Sequence, residues 1–467
     1  MKVAFHTFGC KVNQFDTEGL VSKFSAAGYE IVPFSDEADV YIINTCTVTK
    51  TSEQKARQLT RKVKRNHSKA LVVITGCYAQ TNPEDLQALP EVDLITGVAG
   101  REELVDLVEQ INQDKETFST ELFSSSPDGS SLGCGQPKPR NTQARMKVSS
   151  WGSKPDFPVF TPEFAEKTRA FIKIEDGCES YCNYCKIPFA RGPVRSLPPA
   201  QVKKEVRRLR VAGFKELVLV GIHLGNYGKD QEQSLAALLR ELEKELVFSS
   251  VELADFRLRL GSVEPIDFTP ELIKVTSESS FLCPHFHIPL QSGSDTVLKR
   301  MNRHYTTDEY GELLERLRAF HPNLSVSTDL MVGFPGETED EFQASLDYIK
   351  RQRFSRVHIF PYSRREGTKA AHMPGQLRRK DIEERAARAD EVAQTVTGDY
   401  RKGMFGKRVA VLLEDEVTPG TWEGFCGEYL RVRLVGAYHV NTMVQARVTG
   451  VDFEPLQAVD LSSNINL

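Results

Sequence analysis

The chain has 467 residues, 40% hydrophobic and 27% charged, with a formal net charge of −4. That length buries ample core without disulfide staples, and a mean hydropathy of −0.36 with no run of about 18 apolar residues excludes a membrane-spanning or mainly disordered protein. The acidic balance excludes a uniformly basic nucleic-acid coat while leaving room for local basic patches. MKVAFHTFGCKVNQ is not a signal peptide, since no basic region leads into an apolar one.

Residues 1–115 alternate short apolar runs with helical patterns. VAFHTF (3–8), VYIINT (40–45), LVVIT (71–75) and VDLIT (92–96) read as buried parallel strands of a doubly wound α/β sheet. Residues 116–166 are rich in Ser, Gly and Pro and read as a mobile linker or insertion, with Trp151 and Phe157 as its anchors. From 167 to 398 a second βα series follows, with strands expected at 169–175, 216–224, 256–263, 285–292, 326–333 and 356–363. Six such units predict a parallel (β/α)6 partial barrel with its functional residues at the strand C-termini. Residues 399–467 change to period-two alternation in RVAVLLE (408–414), EYLRVRLV (428–435) and MVQARVTGV (443–451), the pattern of a small antiparallel β-barrel.

Nine cysteines in a chain without a leader are expected to be reduced thiols. Cys178, Cys182 and Cys185 form a C-x3-C-x2-C motif straight after the first barrel strand. Thiolates at this spacing surround one face of a cubane cluster and leave a fourth metal site open. Structural zinc wants four ligands, and no partner pair exists for it here; ferredoxin spacing adds a fourth cysteine. Cys10, Cys46 and Cys77 each end a strand and precede a helix. The C-terminal strand ends of a parallel sheet lie on one edge, so these thiols are expected to gather there around a second cluster. Gly9 and Gly76 permit tight turns beside two of them, and helix N-termini are expected to favour the thiolate form. The alternative is three independent buried cysteines. Cys134, Cys283 and Cys426 have no partner spacing and are given no role.

The triplet, its place after the first strand and the six βα units resemble the radical S-adenosylmethionine enzymes. With the N-terminal trio and the C-terminal β-domain, nearly the whole chain resembles the radical methylthiotransferases. GIHLGNYG (221–228), LRLGSVEP (258–265), PHFHIPLQSGSDTVLKRMNRHY (284–305) and DLMVGFPGETEDEF (329–342) match further blocks of that family, and TFGCKVNQFDTE (7–18) resembles its branch acting on threonylcarbamoyladenosine in tRNA. The isopentenyladenosine branch usually reads GCQMN there, and the branch modifying a ribosomal protein reads GCPKN.

The resemblance implies two [4Fe-4S] clusters, one held by Cys178, Cys182 and Cys185 and an auxiliary one held by Cys10, Cys46 and Cys77. It also implies S-adenosylmethionine used both as radical source and as methyl donor, with Tyr184 near its adenine. Gln291, at a strand end in PLQSGS, is a further candidate contact for cofactor or substrate. The implied reaction is methylthiolation of C2 of N6-threonylcarbamoyladenosine next to the anticodon. The implied partners are the tRNA anticodon stem-loop, read by a C-terminal RNA-binding TRAM domain, and an electron donor such as flavodoxin or ferredoxin. The expected state is a cytoplasmic monomer without a membrane anchor, since the chain ends in VDLSSNINL. The rivals are the same chemistry on isopentenyladenosine or a ribosomal-protein aspartate, and a non-catalytic iron–sulfur RNA-binding sensor.

Between Lys186 and Lys215 nine Lys or Arg stand against one acid, and with other basic groups they suit a phosphate track. The bland alternative is a set of solvated helix faces. His285 and His287 share a barrel face, where packing or hydrogen bonding is expected rather than metal ligation.

Overall fold

The computed structural model describes residues 1–124, 144–149, 157, 162, 168–248, 255–321 and 323–461. Trp151 and Cys134 lie outside the described residues. The chain divides into two compact units, Met1–Glu163 with Phe189–Gly192, and Phe164–Pro188 with Pro193–Leu467. Among the described residues no helix is long and apolar enough to cross a membrane.

The N-terminal unit is a six-stranded parallel sheet. Its strands are β1 (Lys2–Thr7), β2 (Glu30–Val32), β3 (Val40–Thr45), β4 (Leu71–Gly76), β5 (Leu94–Thr96) and β6 (Arg145–Lys147), in the order β2-β1-β3-β4-β5-β6. The four expected strands are β1, β3, β4 and β5. β3 and β4 are buried along their whole length, as continuous apolar runs in a sheet covered on both faces must be. The edge strands β2 and β6 carry no such run: each has three residues, and Glu30, Ile31, Arg145 and Met146 are exposed. β6 falls within the segment read as a linker, and the helix before it runs from Leu104 to Ser124, past the expected boundary. The strand order reverses between β1 and β3, where open α/β sheets leave a crevice beyond the strand C-termini.

The second unit contains six parallel strands in two sheets of three. β7 (Arg169–Lys173), β10 (Glu216–Val220) and β11 (Arg257–Leu260) form one; β12 (His285–His287), β13 (Ser325–Val332) and β14 (Arg356–Pro361) form the other. Parallel bridges Leu258–Leu282 and Ser262–His287 join them into the expected partial barrel. A two-stranded ribbon, β8 (Glu175–Asp176) with β9 (Arg195–Ser196), flanks the triplet.

The same unit ends in a closed barrel of β15 (Arg408–Thr418), β16 (Thr421–Cys426), β17 (Arg431–Val435), β18 (Met443–Gly450) and β19 (Leu456–Asp460), in the order β15-β16-β17-β19-β18. It is tied to the strand starts of the partial barrel. The buried Glu216 carboxylate pairs with Arg257 at 2.6 Å and Arg259 at 2.8 Å. The guanidiniums in turn donate to the carbonyls of Ala410, Phe425, Cys426 and Gly427. Arg169, opening β7, pairs with Glu414 at 2.6 Å. Buried ion pairs of this kind are costly to break singly, because the survivor is left desolvated. The C-terminal barrel therefore closes the end of the partial barrel opposite the triplet. Cys283 and Cys426 are both buried in this unit.

Candidate metal centres

Each thiol of the N-terminal trio sits where its strand hands over to the next segment. Cys10 is the N-cap of the helix Lys11–Ala26, Cys46 follows β3 directly, and Cys77 opens the turn after β4. Two glycines set the approach. Gly9 has φ +103°, and a Cβ there would lie 2.9 Å from the Cys46 Sγ. Gly76 has φ +100°, and a Cβ there would lie 2.4 Å from the Thr45 carbonyl oxygen. No L side chain fits either place. Asn13 ties the strand ends together, donating to the carbonyls of Phe8 at 2.8 Å and Thr45 at 3.0 Å. Asn44 answers it from β3, donating to the Asn13 carbonyl at 3.0 Å.

Burial first, and then the neighbouring Cys77 and Cys10 sulfurs, push the Cys46 thiol up to about 12 against the Val48 N–H, 3.4 Å away. The helix N-termini therefore do not by themselves make this thiol a thiolate, contrary to the sequence expectation; desolvation and the other sulfurs outweigh them. Burial raises the Cys10 thiol as well, and three sulfurs gathered in this way are a donor set for a metal cluster, whose positive charge deprotonates its ligands. Arg191 adds a cation, its Nε donating to the Cys77 Sγ at 3.4 Å. The residues fit an anionic iron–sulfur cluster.

The triplet is built locally. Gly177, at φ +98°, turns the chain out of β8 into Cys178. Asn183 pins the loop to the barrel: its N–H donates to the Met301 carbonyl at 3.0 Å and its side chain to the Arg300 carbonyl at 2.8 Å. The Cys185 N–H closes a turn on the Cys182 carbonyl at 2.9 Å.

Three groups that spacing did not single out support these thiols. His223 Nδ1 lies 3.8 Å from Cys178 Sγ and 3.0 Å from Ser180 Oγ, while its Nε2 meets Asp267 Oδ2 at 2.6 Å. Burial opposes a charged imidazole, but Asp267 and Cys178 raise His223 to about 10. Burial likewise raises the Cys178 thiol, yet the hydrogen bonds from His223 and Ser180 bring it below its usual value. Arg303 donates to Cys182 Sγ at 3.3 Å and pairs with Glu264. Burial pushes Cys185 up most, with Cys182 adding to it. Here too three thiols and a buried guanidinium fit an anionic cluster. His223, Glu264 and Arg303 lie in GIHLGNYG, LRLGSVEP and MNRHY, so the signal for them was membership of the matching blocks.

Tyr184 is half-buried and packs edge-on against Phe334, centroids 6.4 Å apart. Gln291 has a left-handed backbone, φ +68°, fixed by its N–H to the Asp329 carbonyl at 2.8 Å and by the Met331 N–H to its own carbonyl at 2.9 Å. A non-glycine residue held there is strained, and such strain concentrates at functional sites. His285 and His287 both meet Ser327 Oγ, at 3.1 and 3.0 Å, and His287 also meets Asp329 at 3.3 Å. Hydrogen bonding thus accounts for their shared face. With His358, the His287 and Asp329 donor atoms lie within 4.8 Å of one another.

The basic run from Lys186 to Lys215 is largely spent inside the protein. Lys186, Arg191 and Arg195 are buried, and Lys203, Arg207, Arg208 and Lys215 pair with Glu241, Glu245, Glu205 and Asp255. As a phosphate track this run is much weaker than its charge count implies.

Residues 2–97 match the model described as uncharacterized protein family UPF0004, and residues 172–349 that of the radical SAM superfamily. The threonylcarbamoyladenosine tRNA methylthiotransferase MtaB of Bacillus subtilis is 38% identical over 93% of this chain and 90% of its own length. The chain belongs to the radical SAM tRNA methylthiotransferases, in the MtaB-like branch. The MtaB of Thermotoga maritima is 36% identical over 93% of this chain and 91% of its own. The tRNA-2-methylthio-N(6)-dimethylallyladenosine synthase of Natranaerobius thermophilus is 32% identical over 87% and 84%. Among solved structures, the radical S-adenosylmethionine methyltransferase TsrM of Kitasatospora setae aligns over 78% of this chain and 76% of its own, with TM-score 0.54 and 15% identity, a likeness of fold alone. As a family member the chain is an enzyme, with a radical SAM domain that implies a [4Fe-4S] cluster and S-adenosylmethionine.

Proposed function

We propose that the chain methylthiolates C2 of N6-threonylcarbamoyladenosine beside the anticodon of tRNA in the cytoplasm, using two [4Fe-4S] clusters. One is held by Cys178, Cys182 and Cys185 and the other by Cys10, Cys46 and Cys77. The observation that carries this reading is the second set: three cysteines far apart in sequence that each stand at a strand C-terminus of one parallel sheet, in a chain whose Bacillus subtilis and Thermotoga maritima relatives are named for this substrate.

A hydrogen on C2 of adenine is too weak an acid for any side-chain base at neutral pH, so replacing it calls for radical chemistry. Cys178, Cys182 and Cys185 would hold a cluster that with S-adenosylmethionine would supply the radical chemistry, and Cys10, Cys46 and Cys77 would hold one that would supply the sulfur, with S-adenosylmethionine as methyl donor. The protein's part is to hold and orient. Asn183 fixes the triplet loop to the barrel, and His223 and Arg303 hydrogen-bond two of its sulfurs. Tyr184 stands in this reading beside the adenine of S-adenosylmethionine, and Gln291 at the substrate side of the strand ends. The target base lies in a single-stranded loop, so extruding it costs only a few kcal/mol. The C-terminal barrel, 399–467, acts as the TRAM domain that grips the RNA backbone, and binding weakens as salt rises. Family resemblance supports a monomer and an electron donor of flavodoxin or ferredoxin type.

The test is mass spectrometry of tRNA nucleosides from a strain lacking the gene and the same strain expressing it. Gain of the methylthio form of threonylcarbamoyladenosine is expected. Change in the isopentenyl derivative alone overturns the substrate and leaves the chemistry. No change in cells replete with iron, sulfur and reductant overturns the tRNA reading in favour of a ribosomal-protein acceptor or a sensor.

A further inference from the structure

Arg191 follows the triplet by six positions, yet Phe189–Gly192 belongs to the N-terminal unit. Its side chain is fully buried there, and all three guanidinium nitrogens are engaged. Nε donates to the Cys77 Sγ at 3.4 Å, one terminal nitrogen donates to Asn13 Oδ1 at 2.5 Å, and the other pairs with Asp16 Oδ2 at 2.9 Å. The same Asp16 oxygen pairs with Arg101 at 2.5 Å, and Arg101 reaches Asn44 Oδ1 at 3.3 Å. Arg101 and Asp16 are also buried.

The arrangement is aimed. Asp16 and Asn13, one turn apart on the helix that Cys10 caps, hold the two terminal nitrogens of the planar fork, and with the plane so fixed the Nε–H is directed at Cys77. A lysine in that place has a single flexible ammonium and cannot satisfy all three partners in one plane. Burying a guanidinium is expensive unless every donor is placed. The folded chain meets that cost beside a sulfur, where a cation alters the chemistry of a metal bound there. Hydrogen bonds to ligand sulfurs and nearby charge are two of the levers that set the potential of an iron–sulfur cluster.

We infer that Arg191 is a positioning residue for the auxiliary cluster. Its N–H hydrogen bond to the Cys77 sulfur and its buried positive charge raise that cluster's reduction potential, by favouring the more anionic reduced state. The inference rests on the two-cluster reading above. It assigns Arg191 not to RNA phosphates, as its place in a basic run implies, but to the tuning of the sulfur-bearing centre.

The experiment uses the full chain with Cys178, Cys182 and Cys185 all changed to Ala, reconstituted with iron and sulfide so that only the N-terminal trio can load. Potentiometric titration followed by electron paramagnetic resonance compares this parent with Arg191→Met and Arg191→Lys made in it. With equal iron loading, Arg191→Met is expected to lower the reduced-to-oxidised ratio at a fixed potential at least tenfold, about 59 mV for one electron. Arg191→Lys, which keeps charge and loses the fork, is expected to fall between. A loaded Arg191→Met with the parent's potential overturns the inference and leaves the two clusters standing. If Arg191→Met fails to load, Arg191→Lys decides: a potential equal to the parent's overturns the inference. A parent that binds no cluster overturns the two-cluster reading itself, and the inference with it.

Discussion

The N-terminal trio and the barrel triplet bring three thiols together by opposite routes. The triplet spans eight residues of one loop, Cys178 to Cys185, and local turns with one strap through Asn183 shape it. The trio spans 68 residues, Cys10 to Cys77, and exists because β1, β3 and β4 are parallel neighbours in register. Both sites end with a guanidinium N–H on a cysteine sulfur, Arg303 at 3.3 Å and Arg191 at 3.4 Å. The comparison teaches that the two sites share a chemical requirement while differing in what they depend on. A loop motif depends on a few local turns, whereas a convergent site fails with any one of its strand ends.

The largest expected effect separates the sites by chemistry. Replacing Cys178, Cys182 or Cys185 with Ala should reduce formation of 5′-deoxyadenosine from S-adenosylmethionine to background. Replacing Cys10, Cys46 or Cys77 should leave that cleavage near the parent rate while methylthiolated nucleoside disappears. Full product from any member of the second set would refute the division of labour.

Next comes Gly76→Ala. It forces an L side chain into φ +100° and a Cβ to 2.4 Å from the Thr45 carbonyl. Left-handed strain and overpacking together should cost about 3 kcal/mol, read from urea denaturation of the metal-free chain. Iron bound by the trio should fall while iron bound by the triplet stays. Arg303→Met is the counterpart. Leaving Glu264 without its guanidinium should cost about 2 kcal/mol and deplete iron at the triplet alone. If either variant emptied both sites equally, the two sites would not be independent.

The smallest effect concerns the strap behind the triplet. Arg300, whose carbonyl accepts from Asn183, pairs with Glu341 at 2.7 Å. The Arg300 hydrogen bond lowers Glu341 to about 2. A carboxylate held below its ordinary value contributes its stabilisation in full above that value, and loses it as pH falls toward about 2. Because the pair is partly exposed, Glu341→Gln should cost below about 1 kcal/mol at neutral pH. The gap between parent and variant in urea midpoint should close as pH falls from 5 to 2, and a gap constant over that range would exclude the pair as its source.

Much of this was legible in the chain. The continuous apolar runs of β3 and β4 showed because burial on both faces leaves a pattern, and the six barrel strands showed because charged helical stretches separate most of them. β2 and β6 did not, since a three-residue edge strand needs no apolar run. β16 and β19 were hidden for a related reason: TWEGFC and LQAVD are short and mixed, and the strands of the closed barrel complete one another. The fate of the basic run was illegible, because charge counts do not say which Arg meets a Glu and which enters a core. The state of Cys46 was equally illegible, because desolvation is a property of the packed environment.

The sequence by itself determined the chemistry on offer. The C-x3-C-x2-C spacing, the cysteines at equivalent strand ends and the blocks around the barrel are covalent facts, and they suffice to name the family. Tertiary structure alone decided which charges serve the sulfurs. Arg191 reads from the chain as one cation among nine, and only the fold, by returning Phe189–Gly192 to the N-terminal unit, gives it Asp16, Asn13 and Cys77 as partners. The physical reason is range: ligand spacing is set by a few backbone bonds, whereas a buried ion finds its partners across whatever chain the core brings beside it.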